Sequence, residues 1–411
     1  MNRAVIFIFI TLLIDITGIG LILPVLPDLI RELEGVNVSN ASVIGGWLLF
    51  AYAMPQFVFA PILGALSDRF GRRPVLLFSL FGFGIDNLIM GFAPTIFWLF
   101  IGRIFAGICG ASISTAAAYI ADVSKPEERA ANFGMIGAAF GLGFILGPLI
   151  GGVLGEYGTR LPFFAAAALC FINVAFGYFV LPESLSEDKR RAFELKRANP
   201  FGTLKNISKN PIVIGLALAY LLSEIAHHAY QSTWTFYTIE LFDFSTGMIG
   251  LSLGVFGLLY AVVNGWLIRV IIPKVGEINT VWIGLFFTFF AFIAFGFLTE
   301  NWLLWAMLVP AALGGFLDPG MQGIMANETE DNAQGELQGA ISSLTSIAAI
   351  IGPVLMTQLF ARFTDAGREA ALYAPGAPFL AAALLMIIAM VPIFLSVRRY
   401  AKKKALGLNA P

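Results

Sequence analysis

Across 411 residues, charged side chains make up 12%, about half the ~25% of a soluble domain, while AVILMFWYC make up 58%. That inventory cannot cover a water-exposed surface, and with 14% aromatics it does not suit a charged disordered chain either. The net charge of -1, from 25 Lys and Arg against 26 Asp and Glu, offers nothing to nucleic acid, so the expected fold is an all-α membrane protein.

A helix crosses ~30 Å of hydrocarbon with about 20 residues. Twelve apolar runs of that size are predicted, at 4–26, 44–66, 74–92, 96–120, 131–154, 161–181, 211–239, 246–272, 280–298, 301–325, 334–360 and 375–397. Strands are excluded because an open sheet edge would leave backbone groups unpaired in lipid. The first run is longer than a signal-peptide core and lacks a small-x-small cleavage site, so it reads as a retained helix. Cys109 and Cys170 both fall inside apolar runs and read as packing residues. Twenty of the 25 Lys and Arg fall on one side of this topology. Arg31, Arg160, Arg362 and Arg368 lie on the other side and Arg103 lies within a span. Positive loops stay in the cytoplasm, which places both termini there.

Along the first half, helix one carries Asp15 within LIDITGIGLILPVLP, residues 13–27. The junction of helices two and three reads GALSDRFGRR, with Gly64, Asp68, Arg69, Gly71, Arg72 and Arg73. One acid and three bases around a glycine turn make a charge cluster that two bundle arrangements can form and break. Helix three contains Asp86, helix four contains Arg103 at the head of RIFAGICG, and Asp122 follows helix four. Helix five carries GFILGPLIGG, where Gly143, Gly147, Gly151 and Gly152 permit close backbone approach and Pro148 removes one backbone bond.

Residues 183–210 form a charged stretch halfway along the chain, read as a cytoplasmic linker between bundles at 1–182 and 211–411. In helix seven, Glu224, His227 and His228 stand at i, i+3 and i+4, so the acid can reach either imidazole. No further His exists in the chain, so no metal site is expected. Tyr230, Gln231, Trp234 and Tyr237 continue that helix at roughly turn spacing, either as packing or as a surface for a flat organic molecule. Helix eight has Tyr260; helix ten has Asp318-Pro319-Gly320, predicted as a helix break, with Gln322 one turn on.

Asp15, Asp86 and Glu224 lie eleven to thirteen residues into their spans, ~16 to 20 Å along the axis. A carboxyl at that depth is costly as a bare charge, so it needs a paired base or exchanges a proton. Arg103 has Asp15 or Asp86 as its natural partner. At least one of Asp15, Asp86, Glu224 and Asp318 is expected to cycle a proton. His227, His228, Tyr230, Gln231, Trp234, Tyr260 and Gln322 are expected near the substrate.

Sliding the sequence by 205 residues aligns Gly71 with Gly276, Gly110 with Gly315, Gly134 with Gly339 and Gly147-Pro148 with Gly352-Pro353. Asp122 then meets Asn327. Two six-helix halves in the same orientation are implied.

The 64–73 loop resembles the cytoplasmic signature of the major facilitator superfamily, and the helix-five glycines resemble its drug/proton antiporter branch. Residues 13–28, 67–76, 140–152 and 338–346 are similar to the tetracycline-resistance efflux proteins. The resemblance implies two pseudo-symmetric six-helix bundles that rock about a central site. It also implies that Asp68 faces the start of helix eleven near Gln334, that Arg72 or Arg73 pairs with Asp122, and that this cluster stabilises an outward-open state. Those pumps carry a His in helix eight and an Asp in helix nine, where this chain has Tyr260 and the run 286–290, so the substrate stays open.

The expected function is export of a small organic compound in exchange for protons across the inner (cytoplasmic) membrane, by a monomer with no cofactor. Uptake by proton symport is the alternative within transport, and a sensor without flux the alternative outside it. An enzyme is not expected, because no nucleophile-base or metal constellation stands in the sequence.

Overall fold

The computed structural model describes residues 3–110, 112–124, 126–191, 210–330, 333–367 and 372–406. Among these every regular element is a helix. Pro24 falls between α1 (Arg3–Ile22) and a short amphipathic α2 (Leu26–Glu34), which takes Pro27 in its first turn and stops at Gly35 with φ of 64°. Asn37 caps α3 (Val38–Phe70), its side chain accepting the Asn40 N–H at 2.8 Å. Gly71, at φ of 104°, turns the chain into α4 (Arg72–Phe92). Then come α5 (Ile96–Cys109), α6 (Ser112–Val123), α7 (Pro126–Tyr157) and α8 (Leu161–Val180). The predicted fourth span is thus two helices meeting near Gly110.

Most of the expected linker, 192–209, lies outside the described residues, as do Arg368 and the last residues of the basic tail. Beyond it, Asn210 caps α9 (Pro211–Phe242) by accepting the Ile212 N–H. The eighth span is α10 (Thr246–Val262) followed by a π-helical turn, Val263–Leu267. It runs on into α11 (Ile268–Gly296), which is interrupted at Gly276, where φ is 78°. The whole stretch Thr246–Gly296 has 51 residues, about 76 Å if straight, enough for two crossings. The helices long and apolar enough to cross a membrane therefore number twelve among the described residues once this stretch is divided. The tenth span is α12 (Asn301–Leu313), a 3₁₀ turn at Gly314–Phe316 and α13 (Leu317–Asn327). Its break precedes Asp318; the expectation of a break at Asp318-Pro319-Gly320 is corrected, because Pro319 sits in the first turn of α13, where its missing N–H costs nothing. The last helices are α14 (Gln334–Thr364) and α15 (Ala377–Ala405).

Two compact units result: Met1–Ala41, Ala51–Asn199 and Phe244–Leu258 form one, and Ser42–Phe50, Pro200–Asp243 and Leu259–Pro411 the other. In the first, α1 packs on α7 and α8, and α4 on α5, α6 and α8. Ile8, Leu12 and Ile16 meet Leu76, Leu80, Ala116 and Tyr119. Lipid is as apolar as these side chains, so fit and polar pairing hold the helices together. Buried Asn173 donates to the Thr11 carbonyl at 2.9 Å, and Tyr119 to that of Pro182 at 2.9 Å. The glycines of α7 serve two faces. A Cβ on Gly143 would stand 2.7 Å from Ile16, and one on Gly147 2.7 Å from Gly20 Cα, while Gly151 lies against Leu21. Gly152 instead faces α10, where Gly250 Cα is 3.0 Å from its Cβ position, and Glu156 accepts the Gly247 N–H at 2.7 Å.

In the second unit, α9 packs on α14 and α15, and α11 on α12, α13 and α15. Tyr230 stacks on Phe292 at 5.0 Å, Trp234 meets Phe295 edge-on, and Tyr237 donates to the Phe295 carbonyl at 2.8 Å. With Trp234 4% and Tyr237 0% exposed, this stripe is used for packing. The start of α3 belongs here too: Ser42 donates to the Thr357 carbonyl at 3.4 Å, and Gly46 leaves no room for a Cβ beside Thr357.

Candidate substrate and coupling site

In the first unit the interior charges form one compensated pair and one lone acid. Arg103 of α5 forms an ion pair with Asp86 of α4, which is fully buried, and its guanidinium lies over the Tyr52 ring at 5.8 Å from the centroid. Of the two partners the sequence left open for Arg103, Asp86 is the one used. Gln56 donates to the Tyr52 hydroxyl at 2.9 Å and to the Gly110 carbonyl at 3.2 Å, tying α3 to the α5 end. Asp15 is 2% exposed and accepts only the Ser112 hydroxyl at 2.7 Å; its other carboxylate oxygen has no hydrogen-bond partner among the described residues.

The second unit concentrates its interior charge differently. Glu224 and His227 lie on α9, Asp318 on the first turn of α13, and one ligand-type atom from each lies within 4.8 Å of the others. His227 Nδ1 is 3.9 Å from Asp318 Oδ2. The 3₁₀ turn immediately before Asp318 abuts the end of the α10 face: a Cβ on Gly315 would stand 2.8 Å from both Tyr260 and Asn264, the latter at the π-helical turn. Two departures from regular α-helix therefore meet next to the acid cluster, a common mark of functional helix segments. His228, one residue on, turns instead to α14 and packs on Gly352. Gln322 follows Asp318 by one turn and is half-buried, while Gln231 is exposed.

At the junction of α3 and α4, Arg72 binds Asp68 at 2.5 Å, the Ser67 hydroxyl at 2.6 Å and Asp122 at 3.2 Å. Arg73 donates to the Tyr178 carbonyl, and Arg69 stays exposed against Phe70. Of the pairings the family resemblance implied for Asp122, Arg72 makes it. Gly64, by contrast, would meet nothing within 4 Å if it carried a Cβ. The sequence reading missed Glu183, which it counted as linker. Its carboxylate accepts the backbone N–H groups of Arg72 at 2.8 Å and Arg73 at 3.2 Å, capping α4. Nothing in the local sequence marks it, since it reaches over 110 residues back. Ser112, which donates to Asp15, was missed for the same reason: one hydroxyl gives no periodic signal.

The sequence profile of the Major Facilitator Superfamily matches residues 8–353 and 274–410. The tetracycline resistance protein of class C from Escherichia coli is 38% identical over 360 residues, 88% of this chain and 90% of that one. The class B protein from the same organism is 36% identical over 88% of this chain and 89% of its own. Among solved structures, the human organic anion transporter TETRAN superposes with a TM-score of 0.73 at 24% identity, covering 96% of this chain and 99% of that one. A bacterial homologue of the human lysosomal transporter Spinster gives 0.74 at 16% identity, over 98% and 99%. This chain therefore belongs to the major facilitator superfamily, in the branch of the tetracycline resistance proteins, and is a multi-pass membrane transporter and not an enzyme.

Proposed function

We propose that the chain exports a small, drug-like organic compound from the cytoplasm in exchange for inward-moving protons, by alternating access of bundles spanning 1–182 and 211–411 joined at 183–210. The observation that carries this reading is the distribution of interior charge. Asp86 has a permanent cation in Arg103, whereas Glu224 and Asp318 share a single imidazole and Asp15 has a hydroxyl. Carboxyls without a fixed counter-charge are the ones that can take up and release a proton at this depth. The Arg72–Asp68–Asp122 cluster is the cytoplasmic gate, and both termini are cytoplasmic, consistent with the excess of bases on that side. The relatives named for tetracycline resistance make that drug the first compound to test. The imidazole and two of the carboxylates of this coupling path stand on α9 and α13.

Purified protein in liposomes, with an imposed pH gradient and a panel of drugs and amphipaths, tests the reading. Accumulation against the proton gradient, lost in at least one of Asp15→Asn, Glu224→Gln and Asp318→Asn, is the expected result. Full coupling in all three variants would overturn the assignment of the proton path. Accumulation along with protons would establish uptake instead.

A further inference from the structure

From the C-terminal end of α15 we infer a site for an anionic phospholipid, its phosphate held by Arg398 and Lys402 and its upper acyl region seated on Phe394 and Trp282. α15 has 29 residues, about 43 Å of helix against ~30 Å of hydrocarbon, so its last turns stand at headgroup level or beyond. One face of it is bare of protein. Leu384, Ile387, Ile388, Val391, Phe394 and Leu395 are 47–61% exposed and recur at three- and four-residue spacing, which makes them a lipid-facing stripe. Arg398 comes four residues after Phe394 and Lys402 four after that. Both are exposed, and both continue the same face where acyl chain gives way to phosphate.

The bases of this helix end are not equivalent. Lys403 donates to buried Glu328 at 2.9 Å, and Asn210 donates to the same carboxylate at 3.1 Å. Asn327 donates to the hydroxyl of buried Tyr400 at 3.2 Å and to Glu277 at 3.4 Å. These contacts fix the rotation of the helix end and engage both carboxylates. Tyr400 is two residues from Arg398 and two from Lys402, so it points about 160° away from each. The two bases are thereby held outward, and neither makes an ion pair among the described residues. A planar guanidinium beside an ammonium one turn on suits a phosphate diester, which the Arg can take with two parallel bonds. The apolar half of the ligand has a seat as well. Phe394 meets Trp282 of α11 with ring centroids 6.4 Å apart, so a ring pair bridges two packed helices one turn below Arg398. Trp at that level and bases above an interhelical groove are what hold a lipid headgroup. A free phosphate ion would use the bases and leave the stripe and the rings unexplained, so the occupant is the lipid.

The site lies in the leaflet at the C-terminal end of the chain, the inner one on the topology proposed above, and does not depend on which compound or ion is moved. The detergent-purified full chain is titrated with phosphatidylglycerol, or with phosphatidylcholine of the same acyl chains, and bound lipid is counted by native mass spectrometry. Phosphatidylglycerol is expected to bind at least fivefold more tightly, the preference falling about fivefold in each of Arg398→Gln and Lys402→Gln and vanishing in the double variant. Both side chains are exposed, so the melting temperature should not move with them. Phe394→Ala should weaken both lipids together. Arg362→Gln removes an exposed base at the opposite end of the unit and should keep the preference. No preference in the unaltered chain would overturn the inference, as would a preference that survives the double variant. An equal loss in Arg362→Gln would reduce it to bulk charge. Displacement of the lipid by inorganic phosphate at equal concentration would make it a free-anion site and overturn the lipid assignment.

Discussion

Arg72 and Asp122 meet at 3.2 Å across the end of the first unit, and 205 residues later Glu277 and Asn327 meet at 3.4 Å in the equivalent place of the second. The contact is repeated while its chemistry is not: an ion pair in one half corresponds to an amide-to-carboxylate hydrogen bond in the other. In the first copy Arg72 also holds Asp68 and the Ser67 hydroxyl, whereas in the second Asn327 also donates to the Tyr400 hydroxyl at 3.2 Å. If this cluster is the gate, Arg72→Ala and Asp122→Asn each lower the rate of drug efflux by roughly tenfold or more, and the double variant is no worse than the worse single, as expected of residues acting as one unit. Asn327→Ala leaves the rate within about twofold. Initial efflux rates from loaded vesicles at matched protein density check this; additive losses would place the two residues in separate roles.

Glu183 caps α4 through two backbone N–H groups, and Gly71 gives it room to do so. Replacing it with Gln keeps the shape but removes the charge at the positive end of the helix, a loss of about 0.5–2 kcal/mol. Gly71→Ala is expected to cost more. Its φ of 104° is strained for any residue with a Cβ, about 1–3 kcal/mol, and the added carbon would overlap the Glu183 carboxylate. Thermal unfolding in detergent should therefore rank the unaltered chain above Glu183→Gln and that above Gly71→Ala. The reverse order would show that the turn tolerates a side chain and that capping dominates.

Much of this architecture was legible because membrane helices announce themselves one at a time: run length, loop charge and the 205-residue offset each need only the chain itself. The break at Gly276, with φ of 78°, follows from its alignment with Gly71. What stayed hidden depends on two helices at once. The sequence left Arg103 with two partners because depth alone does not say which side chain faces it. It grouped His227 with His228 by spacing, although neighbours on a helix point about 100° apart and the packing of Gly352 captures only the second. It read the acid and imidazoles along α9 alone and so could not include Asp318, which arrives from α13. The π-helical turn at Val263–Leu267 has no composition signal either; it is visible only in the backbone.

The Asp86–Arg103 pair makes a prediction with a built-in control. Asp86 is fully buried and Arg103 nearly so, so removing either leaves the other as an uncompensated buried charge, a loss of about 3–5 kcal/mol. Asp86→Asn and Arg103→Gln should each lower the melting temperature by several degrees, and the double variant should recover most of the loss because no charge is then stranded. If the double variant falls as far as the sum of the singles, the pair is not the interaction that matters, and the contact of Arg103 with Tyr52 becomes the better explanation.

The glycines of α7 separate a packing role from a merely flexible one. Gly147 lies where a Cβ would stand 2.7 Å from both Gly20 Cα and the Thr17 carbonyl oxygen of α1, backbone atoms that cannot rotate away. Gly137, on the same helix two to three turns earlier, would meet nothing within 4 Å. Both substitutions to Ala raise helix propensity by about 1 kcal/mol, so propensity alone predicts that both stabilise. Packing predicts opposite signs: Gly137→Ala gains or is neutral, while Gly147→Ala loses about 1–3 kcal/mol by forcing α1 and α7 apart. Because Gly143 and Gly151 hold the same seam, the strain has no easy relief along it, and Gly147→Val should also reduce the yield of folded protein. Melting temperatures and the monodisperse fraction of the three variants, measured side by side in one detergent, decide the matter. A stabilised Gly147→Ala would mean that the α1–α7 seam is looser than its backbone contacts indicate.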